Sequence, residues 1–426
     1  MVPTDESTAG PASTAGRAVA AVWRIESAKI VATLTRMTGD FSLAEDLAQE
    51  ALAEALEQWP DAGVPRNPAA WLTAVAKRRA IDVWRRRERF DERIAVIAHD
   101  LEREQDEASD APPWDPDAVD DDVLRLIFIA CHPVLSREAQ VALTLRVVGG
   151  LGTEEIARAF LVPTATVQQR IVRAKKTLGA ANAPFELPPR EEFRERLGAV
   201  LGVLYLIFNE AHTASAGEDW MRPDLGREAT RLTRILSGLV PREPEVHGLL
   251  ALMELTAARF PARIDRNGDP VLLADQDRSR WDRAAIVRGR AELARVDALG
   301  RGRGGYALQA SIAECHAVAA SVDDTDWDRI VLLYEALGRL TPSPVIELNR
   351  AAAVAMATGP ASALRIIDQL VLAGELRGYH LLPATRGELL LRLGREEEAR
   401  AEFATAARLA GNERERAVLE LKARGS

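Results

Sequence analysis

A strongly basic segment with helical periodicity, Trp71 to Phe90, constrains this chain more than any other part of the sequence. It carries seven Lys and Arg residues against two acidic ones, a net charge of +5, and contains no proline or glycine. Leu72, Val75 and Ile81 recur at helical spacing and predict one apolar face. The basic side chains then occupy the solvated side, where they can neutralise the phosphates of a polyanion. The alternative is an ordinary solvated helix face.

Composition and charge narrow the class of protein. At 426 residues the chain exceeds a single domain of roughly 100–200 residues, so several domains are expected. No run of about 18 apolar residues and no signal-peptide pattern are present, which predicts a cytoplasmic protein without a membrane segment. Cys131 and Cys315 lie outside any CxxC spacing, so neither a disulfide framework nor a zinc site is expected. With a net charge of -9, any nucleic-acid contact must come from local basic surfaces.

The first part of the chain predicts a small helical domain over residues 18–92. Residues 1–17 are rich in Ser, Thr, Ala, Gly and Pro, which predicts a disordered tail. Two amphipathic helices follow, and the second, which starts near Ser42 as a candidate N-cap, has an acidic outer face. The segment from Trp59 to Pro68 contains three prolines and a glycine, which predicts a loop that leads into the basic helix.

An acidic segment separates this domain from the next one. Between Asp91 and Asp122 thirteen acidic residues stand against two arginines, a net of -11. Like charges and prolines favour an extended, self-repelling chain, so residues 93–122 are predicted to be a linker.

Residues 123–182 contain the most specific local pattern, two helical segments separated by a break of three residues. Thr153–Phe160 and Thr164–Lys176 have the spacing of a helix-turn-helix. An ordinary pair of packed helices explains the apolar positions equally well, but the second helix also carries polar and basic side chains that can contact base edges or phosphates. These candidates are Thr164, Thr166, Gln168, Gln169, Arg170, Arg173, Lys175 and Lys176.

These segments, in this order, resemble an extracytoplasmic-function sigma factor of the sigma-70 class over about residues 18–180. The sequence Asp-Leu-Ala-Gln-Glu at residues 46–50 matches the family's core-polymerase-binding helix. The basic helix, led by Trp71 and ending in Ile81-Asp82-x-x-Arg85-Arg86, matches the family's promoter-opening helix. The resemblance identifies residues 18–92 as sigma region 2 and residues 123–182 as sigma region 4.

The resemblance also implies partners and site residues. The partners are promoter DNA and core RNA polymerase, through its beta-prime clamp helices and beta flap. The helix-turn-helix candidates above would contact the minus-35 element. The implied polymerase-binding residues are Asp46, Leu47, Gln49 and Glu50. The implied minus-10 contacts are Asn67, Lys77, Arg78, Arg79, Asp82, Trp84, Arg85, Arg86 and Arg89.

The sequence departs from the family pattern in two places, which limits what the resemblance implies about the bases that are recognised. Many members carry Asn where Arg78 or Arg79 stands here, and the loop from Trp59 to Asn67 matches no motif. Base preference is therefore not transferred. Trp71 favours a core position over base stacking, because large aromatic residues on amphipathic helices usually pack inward.

Residues 190–426 form an extension with helical patterns throughout. Gly387, Gly394, Ala399, Phe403 and Ala406 fall at the spacing of a tetratricopeptide repeat, and Ala351, Ala363 and Ile367 repeat part of it 36 residues earlier. The chain also resembles the sigma-factor subgroup with a tetratricopeptide-like extension. That resemblance suggests a small DGPF/YCII-related protein, or another ligand, as the extension's partner and no membrane-bound anti-sigma factor.

No metal or cofactor is expected. The aspartates between Asp265 and Asp282 lack the terminal glutamate of a calcium loop, and the histidines are scattered along the chain.

The sequence therefore predicts an all-α sigma factor for transcription initiation. It would bind core polymerase, recognise minus-35 and minus-10 elements, assist promoter melting and catalyse nothing itself, with the extension regulating these steps. One alternative is a one-component DNA-binding repressor or activator with a helical sensor domain. Another is an enzyme in the C-terminal half, which requires a pocket with convergent titratable groups. Neither explains an acidic helix directly before a basic one.

Overall fold

The computed structural model describes residues 11–87, 116–160, 162–181, 183–212, 223–263, 265, 271, 273–411 and 413–425. Over these residues it contains helices and no strand, which confirms the predicted all-α class. The chain divides into two compact units, one ending at Val203 and one beginning at Leu204. None of the described helices is sufficiently long and apolar to span a membrane.

The first unit consists of seven helices among the described residues and the first part of an eighth that continues beyond Val203. They are α1 (Pro11–Thr38), α2 (Phe41–Ala62), α3 (Pro68–Arg87), α4 (Pro116–Ala130), α5 (Arg137–Val147), α6 (Thr153–Phe160), α7 (Thr164–Ala180) and α8 (Arg190–His212). Helix α1 packs against α2, α3 and α4, so it forms the centre of this unit.

Helix α1 begins earlier than the sequence predicts. It starts at Pro11, so residues 11–17 are helical and the predicted tail of residues 1–17 is wrong there; residues 1–10 lie outside the described part. Pro11 occupies the first helical position, where its missing N–H costs no hydrogen bond, and the alanines that follow favour a helix.

Helix α2 differs from prediction at both ends. Asp40, not Ser42, caps it, because its side chain accepts a hydrogen bond from the Leu43 N–H. The helix continues through Pro60, which was predicted to lie in a loop, and ends before Gly63 at a φ of 82°. Burial of Trp59 against the Trp71 ring, with centroids 5.5 Å apart, holds this last turn in place. Trp71 contacts the buried Trp59 ring but is itself only half-buried, so it lies at the edge of the core.

Helix α4 begins inside the predicted acidic linker. Residues 116–122 are helical and were wrongly assigned to the linker, whose residues 93–115 lie outside the described part. Asp122 is 1% exposed and pairs with Arg125 at 2.6 Å and with Arg36 of α1 at 2.7 Å. These two cations compensate the buried carboxylate, so an acidic residue can occupy a packed helix.

The second unit contains the rest of α8, a succession of helices and three 3₁₀ turns, Phe260–Ala262, Leu273–Asp275 and Arg278–Arg280. Its helices are α9 (Pro223–Leu239), α10 (Pro244–Ala257), α11 (Arg283–Ala298), α12 (Gly305–Val318), α13 (Trp327–Leu340), α14 (Pro344–Ala357), α15 (Pro360–Leu372), α16 (Leu381–Arg392), α17 (Glu396–Leu409) and α18 (Glu413–Arg424). Consecutive helices pack on one another from α13 to α18.

The repeat-like residues meet in the hairpin of α16 and α17. A Cβ on Gly387 would lie 2.8 Å from the Phe403 ring, so only glycine allows this ring to approach α16. Gly394 provides the turn at a φ of 76°, and Ala399 and Ala406 are buried. The tetratricopeptide-like assignment remains a prediction, although this packing agrees with its spacing.

Candidate nucleic-acid interface

The predicted polymerase-binding residues lie on α2 and differ in accessibility. Asp46 and Glu50 are exposed, and Gln49 is half-buried. Leu47 is 2% exposed and belongs to the core, so its side chain supports the helix rather than presenting a contact surface. The acidic surface that α2 offers therefore consists mainly of Asp46 and Glu50.

Two predicted promoter contacts have structural roles on α3. Asn67 accepts a hydrogen bond from the Ala70 N–H at 3.1 Å and so caps the start of the helix, although its side chain is exposed. Arg79 donates to Glu50 at 2.7 Å and to Glu54 at 2.6 Å. The hydrogen bond to Glu54, with that to Glu50, raises the pKa of the guanidinium against its partial burial. Arg79 thus joins α3 to α2.

The other predicted residues of the basic helix are distributed as follows. Arg78, Asp82 and Arg85 are exposed and Lys77 is half-buried. Trp84 and Arg86 belong to α3, and Arg89 lies outside the described residues. The exposed members give α3 a cationic surface next to the acidic one of α2.

The predicted helix-turn-helix is formed by α6 and α7. Ile156 and Ala157 of α6 and Val167 and Ile171 of α7 are buried, as their spacing predicts. Thr164 is the first residue of α7, and the preceding cap position is Pro163, which provides no side-chain hydrogen bond.

Most of the predicted minus-35 residues lie on the accessible side of α7. Thr164, Thr166 and Arg170 are half-buried, and the exposed side chains are Gln168, Gln169, Arg173 and Lys176. Amide and guanidinium groups can hydrogen-bond base edges in a major groove, and lysine can neutralise a phosphate. The surface has the chemistry of a recognition helix.

Lys175 is the exception on this helix, because it bonds to the acidic helix α2. Its ammonium group donates to Glu45 and, at 2.8 Å, to Asp46. Glu45 is buried and also accepts from Arg146 of α5 at 3.2 Å. Burial lowers the pKa of Lys175, but the carboxylates of Glu45 and Asp46 outweigh it and raise the pKa overall. Lys175 is therefore fully charged and held against α2.

Further contacts join the two groups of helices. Arg24 of α1 pairs with Glu155 of α6 at 2.6 Å, and Arg36 pairs with Asp122. Gly150 has a φ of 68°, and a Cβ there would lie 2.6 Å from the Ser27 hydroxyl of α1. The helix-turn-helix domain thus packs directly on α1 and on α2, the helix that carries the predicted polymerase-binding residues.

Sequence reasoning missed Glu45, Asp122, Arg146 and Gly150 as contact residues. Asp122 was predicted only as part of the acidic linker. One sequence signal could have identified Glu45: it is an acidic residue at a position that the helical spacing assigns to the apolar face.

Comparison with known families agrees with this architecture. A model described as Sigma-70 region 2 matches residues 25–90, and one described as Sigma-70, region 4 matches residues 125–178. A family of unknown function, DUF6596, matches residues 196–297. No solved structure matches the chain.

Similar proteins occur in two bacteria. An uncharacterized protein of Rhizobium meliloti, R00370, is 44% identical over 393 residues, which cover 91% of each chain. A probable ECF RNA polymerase sigma factor of Mycobacterium tuberculosis, SigI, is 28% identical over 175 residues, 41% of this chain and 58% of SigI. Sigma-70 regions 2 and 4 identify the chain as a sigma-70 protein, distantly similar to an extracytoplasmic-function sigma factor, that carries an additional helical C-terminal domain.

Proposed function

We propose that this sigma factor recruits core RNA polymerase through α2, contacts the minus-10 element and assists promoter melting through α3, and recognises the minus-35 element through α7. The observation that carries the proposal is the pairing of an acidic helix with a basic one in a domain followed by a helix-turn-helix with an exposed polar and basic face. Positive charge on α3 stabilises the separated strand. The chain supplies specificity in the cytoplasm, and the chemistry belongs to the polymerase.

The contacts of Lys175 indicate a closed arrangement that must open for this function. While Lys175 bonds to Asp46, one carboxylate oxygen of the exposed Asp46 is already engaged, and the Lys175 ammonium group is not available to a DNA phosphate. Both helices must separate before each reaches its own partner. Polymerase binding then has to offset the loss of the ion pairs of Glu45, Asp46, Asp122 and Glu155.

The first experiment is a pull-down of core RNA polymerase by the purified full chain. We expect Asp46→Ala/Glu50→Ala to lose co-purification. The matched control is Glu57→Ala/Asp61→Ala, which removes the same charge from exposed positions of the same helix and should retain binding. Run-off transcription from a bound promoter then tests sigma activity.

The outcomes separate the two classes of regulator. Loss of polymerase binding in the first variant alone supports a sigma factor. Tight binding to duplex promoter by the chain, with no polymerase binding by any variant, contradicts the proposal and favours a one-component repressor or activator.

The C-terminal extension is proposed to regulate the DNA-binding domains, with a small protein or a small molecule as its partner. Deleting residues 190–426 tests this. Since that deletion also removes Val200 and Leu201 of α8, which are buried, a chain ending at His212 provides the control for lost packing. Promoter-specific transcription that is unchanged in vitro and in cells for both truncations would contradict regulation.

A further inference from the structure

A cluster of cationic side chains occupies the connection between α10 and α11 in the second unit. Arg259 follows α10, Arg263 directly follows the first 3₁₀ turn, and Arg278 begins the 3₁₀ turn before α11. His316, near the end of α12, lies beside them. Nothing in the proposed polymerase or promoter contacts uses these residues.

The face of Trp281 brings two of these arginines together. The Cζ atom of Arg278 lies 4.7 Å from the indole centroid, and that of Arg259 lies 6.0 Å from it. Trp281 is only 3% exposed, and its indole N–H has no hydrogen-bond acceptor. Two guanidinium groups and an unused N–H donor therefore meet at one recessed place.

The hydrogen-bonding capacity of the cluster is incompletely used. Among the residues that the structure describes, Arg259 makes no hydrogen bond or ion pair, and its Nε atom is buried. Arg278 donates one NH₂ group to the carbonyls of His316 at 2.7 Å and Ala319 at 2.8 Å, while its other NH₂ nitrogen is buried without a partner. The Nδ1 atom of His316 is also buried and unpaired.

Other buried charged groups in this unit have partners of opposite charge. Glu254 is buried between Arg234 and Arg288, and Glu292 pairs with His247 at 2.7 Å. Burying a charged group without a counterion is costly, so compensation is the normal arrangement. Arg259 departs from that arrangement, which indicates that its counterion comes from outside the described chain.

Electrostatics support the same conclusion. Burial, with the charge of Arg278, lowers the pKa of Arg259 to about 10. Burial, with the charges of Arg259 and Arg278, lowers the pKa of His316 to about 4. Asp324 is the acidic residue whose charge acts on Arg278, and no comparable carboxylate acts on Arg259. The site has an excess of positive charge that an anion would relieve.

We propose that Arg259, Arg278 and His316, arranged around Trp281, form a binding site for a small oxyanion, the phosphate or carboxylate group of a metabolite. Guanidinium groups present paired N–H donors that match both kinds of oxyanion. Trp281 is 3% exposed, so the cluster is too recessed for a duplex backbone, which leaves a small ligand. The site would give the extension a ligand of its own, and so deepens the proposed regulation.

The test is isothermal titration calorimetry of the full chain with inorganic phosphate, repeated with succinate, and with chloride as the monovalent control. Arg259→Gln removes the unpaired guanidinium. Its matched control is Arg280→Gln, which removes the same charge from an exposed residue two positions after Arg278. Losing one charge-assisted hydrogen bond should weaken oxyanion binding about tenfold or more in Arg259→Gln and leave Arg280→Gln unchanged.

Thermal unfolding distinguishes ligand binding from a structural role. Without oxyanion, Arg259→Gln should not lower the unfolding midpoint, because it removes an uncompensated charge; with oxyanion, only the wild type and Arg280→Gln should gain stability. Stronger binding of phosphate than of succinate, or the reverse, assigns the ligand class. Absence of binding by the wild-type chain to both ions, or equal loss in the two variants, would overturn the site. These measurements require no polymerase, so their failure is distinct from failure of the sigma-factor proposal.

Discussion

The ammonium group of Lys175 lies 2.8 Å from the carboxylate of Asp46, so the predicted minus-35 helix bonds to the predicted polymerase-binding helix. The bond engages one carboxylate oxygen of Asp46 and the ammonium group of Lys175, the two groups that would contact polymerase and DNA phosphate. This ion pair is the most direct structural reason to expect that polymerase and promoter binding are coupled to an opening of the first unit.

Replacing Lys175 by methionine should therefore ease this opening. The change removes the ion pair of Glu45 with Lys175 and keeps the one with Arg146, so it weakens the closed arrangement. The apparent affinity for core polymerase should therefore rise several-fold, which corresponds to roughly 1 kcal/mol of binding free energy. Affinity for the minus-35 element should fall, because a phosphate-binding cation is lost. Core-polymerase titration and a promoter gel shift measure both effects.

Lys176→Met is the control for this experiment, because Lys176 is exposed on the same helix. It should weaken promoter binding without changing polymerase affinity. Equal polymerase affinities for the wild type and both variants would contradict the closed arrangement.

Gly150 offers a steric test of the same arrangement. Gly150→Ala places a methyl group against the backbone and Ser27 side chain of α1, whereas Gly39→Ala has a similar φ of 65° but open space around it. Both substitutions share the backbone strain, so the difference between them reports the packing on α1. We expect Gly150→Ala to lower the free energy of unfolding by about 1–3 kcal/mol more than Gly39→Ala in urea titrations. Equal losses would show that this contact contributes nothing.

Substitutions of Arg79 and Arg78 should have different effects, the first on the free energy of unfolding and the second on promoter affinity. Arg79→Gln removes two hydrogen bonds to α2, but the side chain is about a third exposed, so we expect a loss of about 1 kcal/mol in unfolding free energy. Arg78→Gln changes an exposed residue and should weaken promoter binding with stability unchanged. Urea unfolding and fluorescence anisotropy with a promoter fragment measure these effects. A stability loss in Arg78→Gln equal to that in Arg79→Gln would contradict the distinction.

His247 should give the second unit a pH-dependent stability. The hydrogen bond to Glu292 raises the pKa of this buried histidine above its ordinary value of 6.5 against the effect of burial. A raised folded-state pKa means that the folded chain binds the proton more tightly. The stabilisation is therefore fully present below pH 6.5 and is lost as pH rises through the folded pKa.

Urea midpoints measured across this interval test the prediction. They should fall with rising pH in the wild type and fall less in His247→Gln. An identical pH dependence in the two chains would contradict a role for His247.

The sequence by itself determined the helical class, the helix-turn-helix and the charge of α2 and α3, because these depend on periodicity and spacing within a few turns. The same patterns predicted the burial of Ile156, Val167 and Ile171, which the structure confirms. Local composition also misled: prolines and acidic runs predicted a loop at Pro60 and a linker at Asp122 where tertiary packing maintains helices.

Only the tertiary structure decided which charged residues form ion pairs with one another. Asp46 and Lys175 are 129 positions apart, and no local pattern states that they meet. The same holds for Arg36 with Asp122, for Gly150 with α1 and for Arg259 with Trp281. A side chain's chemistry is fixed by the sequence, but its accessibility and its counterion depend on which distant segments the fold places beside it.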